Sequence, residues 1–244
     1  MGNVYLITGA SSDVGCALME RLYQEGDLFI AQGAGDLQNL APLCQKYKSA
    51  IRTYDADLTD PVKLNLFLDD VKAHCPTPTH LIHLPALRVI NTKFKNFDEE
   101  RFELDMSVQI RSAVKICKTF LPLMAKEKRG RVLFMLTSYL VGMPPKNTAA
   151  YIMVKSALQG LAKSLAADYA PFGITVNCVM PSMMETKFLA DTSDLIVQAS
   201  AEANPMKRNA RVCDVVPAMA FLLGEEAGFI TGVVLPITGG SVAL

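Results

Sequence analysis

Three side chains near the middle of the chain have the types and spacing of a proton-transfer device: Ser138, Tyr151 and Lys155. Tyr151 and Lys155 stand four residues apart, which on a helix puts both on one face. A free phenol, with a pKa of ~10, exchanges protons poorly near neutrality. A neighbouring ammonium favours the phenolate and draws that pKa towards the working range, and a serine hydroxyl can orient a carbonyl oxygen. The set suits acid–base work at a carbonyl or alcohol carbon. A tyrosine and a lysine merely half-exposed on a helix produce the same short pattern, so it needs a second signal.

That signal stands near the start of the chain. Thr8-Gly9-Ala10-Ser11-Ser12-Asp13-Val14-Gly15 follows an apolar strand-like run and opens a helical pattern. Small residues let the backbone approach a pyrophosphate, and a helix N-terminus offers free N–H groups and a positive dipole end. Asp13 is the odd member. A carboxylate caps a helix start well, but beside a diphosphate it repels unless turned away.

The elements that must position these residues are legible as an alternation. Strand-like runs are expected at Asn3–Thr8, Leu28–Gln32, Ile51–Asp55, His80–Leu84, Arg131–Leu136, Ile174–Met180 and Val233–Pro236. Helical patterns fall at Val14–Gln24, Asp36–Tyr47, Pro61–Ala73, Phe97–Ala125, Ala149–Tyr169 and Val212–Leu223. Such an order predicts an α/β fold, a doubly wound parallel sheet of about seven strands with helices on both faces. No repeat or linker divides the 244 residues, so a single domain over 1–244 is expected. The weakly periodic stretch Pro181–Asn209 follows a strand's C-terminal end and reads as a mobile lid.

Composition narrows the function classes. With 24 basic and 24 acidic residues the chain lacks a nucleic-acid footprint, and no apolar run reaches the ~20 residues of a membrane span. The N-terminus has no basic stretch and reads as no signal peptide, and six scattered cysteines without a C-x-x-C pair fit a reduced, cytoplasmic protein. His80 and His83, three apart on a strand, point to opposite faces, and no metal site is expected. His83 reads as a polar former of the loop that follows. Lys126, Lys128, Arg129 and Arg131 leave two readings open: a dock for an acidic carrier or CoA phosphate, or a solvated turn with cations at a helix C-terminus.

Taken together, the segments resemble the short-chain dehydrogenase/reductase family over essentially the whole length. The glycine turn is similar to its T-G-x-x-x-G-x-G, and Ala56-Asp57-Leu58-Thr59-Asp60 to its segment against the adenine. Ser138, Tyr151 and Lys155 match its catalytic Ser and Tyr-x-x-x-Lys. Ile174-Thr175-Val176-Asn177 with Pro181-Ser182-Met183-Met184-Glu185-Thr186 resembles the strand and loop holding the nicotinamide, and Phe229-Ile230-Thr231-Gly232 with Gly239-Gly240 the C-terminal signature.

The resemblance implies a Rossmann-like sheet, NADP(H) or NAD(H), and hydride transfer between nicotinamide and a carbonyl or secondary alcohol. It implies Tyr151 as acid–base, Ser138 as orienter, and Lys155 as holder of the nicotinamide ribose that also lowers the tyrosine pKa. Gln109 takes the place of a helix asparagine supporting the proton relay. Gly9, Ser11, Ser12, Val14 and Gly15 would cradle the cofactor, with Asp57 and Leu58 at the adenine and Met184 and Thr186 at the nicotinamide. A 3-oxoacyl thioester is the leading substrate, from the likeness of Asn204-Pro205-Met206-Lys207-Arg208 to ketoacyl reductases. A homotetramer or homodimer is also implied, through Phe97–Ala125 and Ala149–Tyr169.

Four positions depart from the family pattern: Asp13 for a glycine, His83-Leu84-Pro85-Ala86 for Asn-Asn-Ala-Gly, Gln109 for the asparagine, and Ser182 for a glycine. They set up the competing reading, a weak or inactive member acting as a cofactor-binding or scaffold protein. After the second strand, Gln32-Gly33-Ala34-Gly35 carries neither the acid that favours NAD nor the arginine that favours NADP, and the ketoacyl-reductase likeness tilts the expectation to NADP(H).

Overall fold

The computed structural model describes residues 2–242. Its centre is one seven-stranded sheet in the order β3-β2-β1-β4-β5-β6-β7. The strands are β1 Val4–Thr8, β2 Leu28–Gly33, β3 Ile51–Asp55, β4 His80–His83, β5 Gly130–Met135, β6 Ile174–Pro181 and β7 Val234–Ile237. Every pairing is parallel, from Val4 opposite Leu28 to Pro181 opposite Ile237. The chain reverses direction across the sheet between β1 and β4, and ligands of open α/β sheets bind at that crevice.

Alternation along the strands sorts their side chains into two cores. Leu6 of β1 and Val132 and Phe134 of β5 face one side, where α3 (Pro61–His74), α5 (Ser112–Glu127) and α6 (Ala149–Tyr169) bury Phe67, Phe120 and Leu158. Tyr5, Ile7 and Leu133 face the other, against α1 (Asp13–Leu22), α2 (Ala41–Tyr47) and α8 (Val212–Leu223) with Leu18, Leu43 and Met219. Both faces are covered, so the strands read as near-continuous apolar runs. This is the Rossmann-like, doubly wound sheet the pattern predicts.

Three expected elements are redrawn. The helix expected over Phe97–Ala125 is α4 (Glu99–Met106), one π turn over Ser107–Arg111, then α5. Asp98 caps its start by accepting from Arg101 N, which leaves Phe97 outside. The second helix starts as a 3₁₀ turn at Leu37–Leu40 and becomes α-helical at Ala41, with Pro42 in the first turn. The expected lid contains a helix, α7 (Asp194–Ala203). Thr231 and Gly232 of the C-terminal signature lace the approach to β7 onto β6: Thr231 Oγ1 accepts from Val176 N at 3.0 Å, and Gly232 N donates to Val176 O at 2.8 Å.

Candidate active site

The buried stripe of α6 runs through Leu158, Ala162 and Ala166, and its continuation towards the helix start carries Lys155 and Tyr151. Apolar packing of the lower stripe on the sheet thus fixes both functional side chains at the C-terminal strand edge. Opposite them, β5 gives way to a 3₁₀ turn at Ser138–Leu140, where Ser138 is buried. The structure brings the three sequence-predicted residues to one place.

Their bonding differs from expectation in one respect. The Lys155 Nζ donates to Met135 O at 2.8 Å and lies 5.8 Å from the centre of the Tyr151 ring. The Tyr151 hydroxyl instead lies towards the Thr137 side chain, and the Tyr139 ring stands edge-on at 6.5 Å. Burial pushes the Tyr151 phenol up to about 12, with Tyr139 and Asp105 adding and Thr137 opposing. Burial pulls Lys155 down to about 8, opposed by Asp105. Lys155 therefore does not lower the Tyr151 pKa here, because its ammonium is turned to a carbonyl rather than to the phenol. In this state Tyr151 holds its proton, as a general acid must.

Gln109 sits in the π turn, fully buried, with Nε2 donating to Asp105 Oδ1 at 2.6 Å. Its backbone carbonyl is taken by His83 Nε2 at 3.1 Å, while His83 Nδ1 pairs with Thr8 Oγ1 at 2.8 Å. A π turn leaves a carbonyl without its usual i+4 partner, and His83 supplies one. Burial first, then the Lys155 charge, push His83 down to about 3, so it bridges as a neutral ring. His83 is thus a buried strand residue joining β1 to the π turn, not the polar loop former expected. Its departure from Asn-Asn-Ala-Gly has a structural reason.

The glycine turn fits a pyrophosphate. Gly9 has φ +68°, and a Cβ on Gly15 would stand 2.4 Å from Ala10 O. Ser12 caps α1, its Oγ accepting from Gly15 N at 3.1 Å, while the first N–H groups of the helix have no intrahelical acceptor. Val14 turns its side chain into the core and offers only backbone. Asp13 Oδ2 accepts from Lys187 N at 2.8 Å, and Lys187 Nζ reaches Asn39 Oδ1 at 3.4 Å. The Asp13 carboxylate is thereby engaged by the segment after β6, which answers the repulsion its type raised.

Ser11 Oγ donates to Asp36 Oδ1 at 2.6 Å, bringing an acid beside the turn that the residues after β2 did not reveal. Asp57 closes a local turn, its Oδ1 accepting from Thr59 N and Oγ1, which hold its carboxyl below the ordinary range. The Leu58 side chain is in the core, so only its backbone is available to an adenine. Met184 bridges to Ala210, and Thr186 Oγ1 donates back to Met184 O at 3.4 Å. Thr137, Asp105 and Asp36 were missed by sequence reasoning, and His83 was singled out but given a different role. Only Asp36 carried a signal, an acid about 20 residues after Gly15.

The basic cluster lies at the other edge of the sheet. Arg131, nearly buried at the start of β5, pairs with Glu225, which also takes Arg129 at 3.3 Å. These two arginines act as structural ties. His80 donates into Leu223 O on the face opposite His83, and among the described residues no group of His, Cys, Asp and Glu has metal-site geometry. No helix of the described residues is long and apolar enough to cross a membrane.

Known proteins place this geometry. A family model described as enoyl-(acyl carrier protein) reductase matches residues 9–241. The chain is 29% identical over 240 residues to the 3-oxoacyl-[acyl-carrier-protein] reductase FabG of Escherichia coli, covering 98% of this chain and 97% of that one. It is 27% identical to the FabG of Haemophilus influenzae, with 98% of each covered. Among solved structures it superposes on a gluconate 5-dehydrogenase from Burkholderia cenocepacia, solved with NADP and tartrate, at TM-score 0.88, 19% identity and coverage of 98% and 95%. YwfH, an NADPH dependent reductase involved in bacilysin biosynthesis, superposes at TM-score 0.87 and 22% identity, with 100% of both chains covered. The chain belongs to the short-chain dehydrogenase/reductase family and is an NAD(P)-dependent oxidoreductase.

Proposed function

We propose that the protein reduces the ketone of a 3-oxoacyl thioester to the secondary alcohol. The observation that carries this reading is the convergence of Ser138, Tyr151 and Lys155 at one sheet edge in a chain related end to end to 3-oxoacyl reductases. A bound nicotinamide supplies the hydride. Tyr151, proton-loaded with its phenol near 12, gives its proton to the carbonyl oxygen; Ser138 hydrogen-bonds and orients that oxygen. Lys155 spends one N–H on Met135 O and keeps two for the ribose hydroxyls. Gly9, Ser11, Ser12, Val14 and Gly15 bind the pyrophosphate, Asp57 and the Leu58 backbone flank the adenine, and Met184 and Thr186 flank the nicotinamide. Gln109 acts from the π turn by holding Asp105.

For the choice of cofactor, Asp36 weighs against the tilt to NADP(H). A Cβ on Gly33 at the end of β2 would lie 3.0 Å from Asp36 Oδ1, so Asp36 fills the space a β2-end side chain leaves. Ala34 N also donates to that oxygen at 3.3 Å. A carboxylate there accepts from ribose hydroxyls and repels a 2′-phosphate, which supports NAD(H). Asp36→Asn should narrow the NADH preference by about tenfold in Kd, a loss of one charge–charge repulsion. A wild-type protein that binds NADPH more tightly overturns the assignment.

The reaction is tested with purified protein and a short 3-oxoacyl thioester, following oxidation of NADH and NADPH. Tyr151→Phe should lower turnover by about 10³-fold while the melting temperature holds. Nucleotide binding without turnover across a carbonyl panel would instead favour the cofactor-binding scaffold. We also propose a homotetramer or homodimer through α4, α5 and α6, whose outer faces leave Leu104, Val114 and Met153 exposed. A monomeric mass by light scattering contradicts this. The six free cysteines support a cytoplasmic setting.

A further inference from the structure

Lys155 is a buried ammonium, 2% exposed, with Met135 O as its hydrogen-bonded protein partner. A charge removed from water this far is stable only beside a counter-charge. Among the described residues two carboxylic acids are buried, Asp27 and Asp105. Asp27 lies at the N-terminal edge of the sheet, accepting from Asn3 N at 2.7 Å and Gln24 N at 3.1 Å. Asp105, 7% exposed, is on α4, and α4 packs on α6, the helix of Lys155. Its Oδ1 takes both protein donors, Gln109 Nε2 at 2.6 Å and Leu87 N at 3.5 Å, and its Oδ2 takes neither.

We infer that Asp105, held in place by Gln109, is the counter-charge that keeps Lys155 protonated, and so is a positioning residue for the catalytic pair. This rests on the reading of Tyr151 and Lys155 given above. The other titratable groups around Lys155 cannot serve. Burial holds Cys178 of β6 as a neutral thiol near 12, and His83 of β4 as a neutral ring. Tyr151 and Tyr139 both keep their protons. Arg101, on the same helix as Asp105, is turned to Arg88 O. Asp105 is also the foremost group opposing the fall of the Lys155 pKa. Gln109 reads differently in this light: its Nε2 is committed to the carboxylate, and its Oε1 is a buried acceptor without a protein donor. The amide orients Asp105 rather than standing in for an asparagine.

The test is Asp105→Asn, read in two ways. With ¹⁵N-lysine-labelled protein, the Lys155 ε-amine should titrate about one pH unit lower in the variant than in the wild type. In carbonyl reduction, where Tyr151 stays protonated, kcat should then fall about fivefold at pH 8 and return to near wild type at pH 6. Asp105→Glu, which keeps the charge, should stay within about threefold at both pH values. A structural role alone would lower activity equally at every pH. An unchanged Lys155 titration in Asp105→Asn overturns the inference. If that variant does not fold, the wild-type titration decides: a Lys155 amine already neutral at pH 7 overturns it, and a charged one supports it. Because the titration needs no turnover, an inactive wild type would refute the proposed reaction and leave this inference still testable.

Discussion

The two halves of the site are built from different materials. The cofactor half, β1 to β3, is made of backbone: a positive-φ glycine, a second glycine against Ala10 O, and a serine cap. These parts, from Gly9 to Gly15, are neighbours in sequence. The catalytic half draws side chains from β4, the π turn, the end of β5 and α6, and joins them by bonds spanning long stretches of chain, such as His83 to Gln109 and Lys155 to Met135. Backbone sites tolerate many side chains but no Cβ at the critical points. Side-chain sites tolerate substitution at the edge but no loss of a buried partner. The difference predicts where each half fails.

The largest effect belongs to the backbone half. Gly15→Ala places a Cβ 2.4 Å from a carbonyl oxygen that cannot yield without unmaking the turn. We expect a loss of about 3 kcal/mol in urea unfolding, in the range of severe backbone strain, and no thermal shift on adding NADH or NADPH. A stable variant that still binds nucleotide would show that the turn is looser than its geometry. In the side-chain half, the cost falls on buried histidines instead. His83 is pushed to about 3 and His80 to about 4, both mainly by burial, so the unfolded chain binds protons that the folded one refuses. The sign follows: stability is complete above the ordinary histidine pKa of ~6.5 and falls as pH drops below it, by roughly 1.4 kcal/mol per unit for each ring. Chemical denaturation at pH 7, 6 and 5 checks this. A flat profile would remove the His83 bridge from the account.

These contrasts explain what the sequence could reveal. The parallel sheet and the glycine turn follow from local patterns, because a parallel strand buried on both faces is an unbroken apolar run and its crossover is a helix-length amphipath. Tyr151 and Lys155 were legible because four residues on a helix fix their relation. Thr137, His83 and Asp105 were not. Each acts through a partner far away in sequence, and a buried Asp reads in sequence like a solvated one. The π turn broke the expected long helix without a proline or glycine to announce it. Asp36 was overlooked because the decisive space is vacated by Gly33 and filled from three residues downstream.

A third expectation tests the phenol of the catalytic half without touching its fold. With Tyr151 held near 12, oxidation of the alcohol product needs a phenolate that is scarce at neutrality. Its initial rate should climb up to about tenfold per pH unit between pH 6 and 7, below the Lys155 transition, where reduction stays nearly flat. An oxidation profile already level by pH 7 would mean that bound cofactor draws Lys155 from Met135 O towards the tyrosine, restoring the lowering that the sequence suggested.

The smallest effect is expected at the edge of the sheet that belongs to neither half. Gly130 opens β5 beside Arg129 and Arg131, while Ser138 lies beyond its other end, so the basic cluster is about 20 Å from the chemistry at ~3.3 Å per strand residue. Arg129 and Arg131 are occupied by Glu225, and Lys128 closes α5 in the left-handed conformation. Substituting Lys126 and Lys128 by alanine should leave kcat/KM within about twofold for a carrier-bound and for a CoA-bound 3-oxoacyl substrate, as exposed lysines contribute little on their own. A selective loss with the carrier-bound substrate would give this turn the docking role that its distance from Tyr151 argues against, and would add a third functional region to the cofactor and catalytic halves.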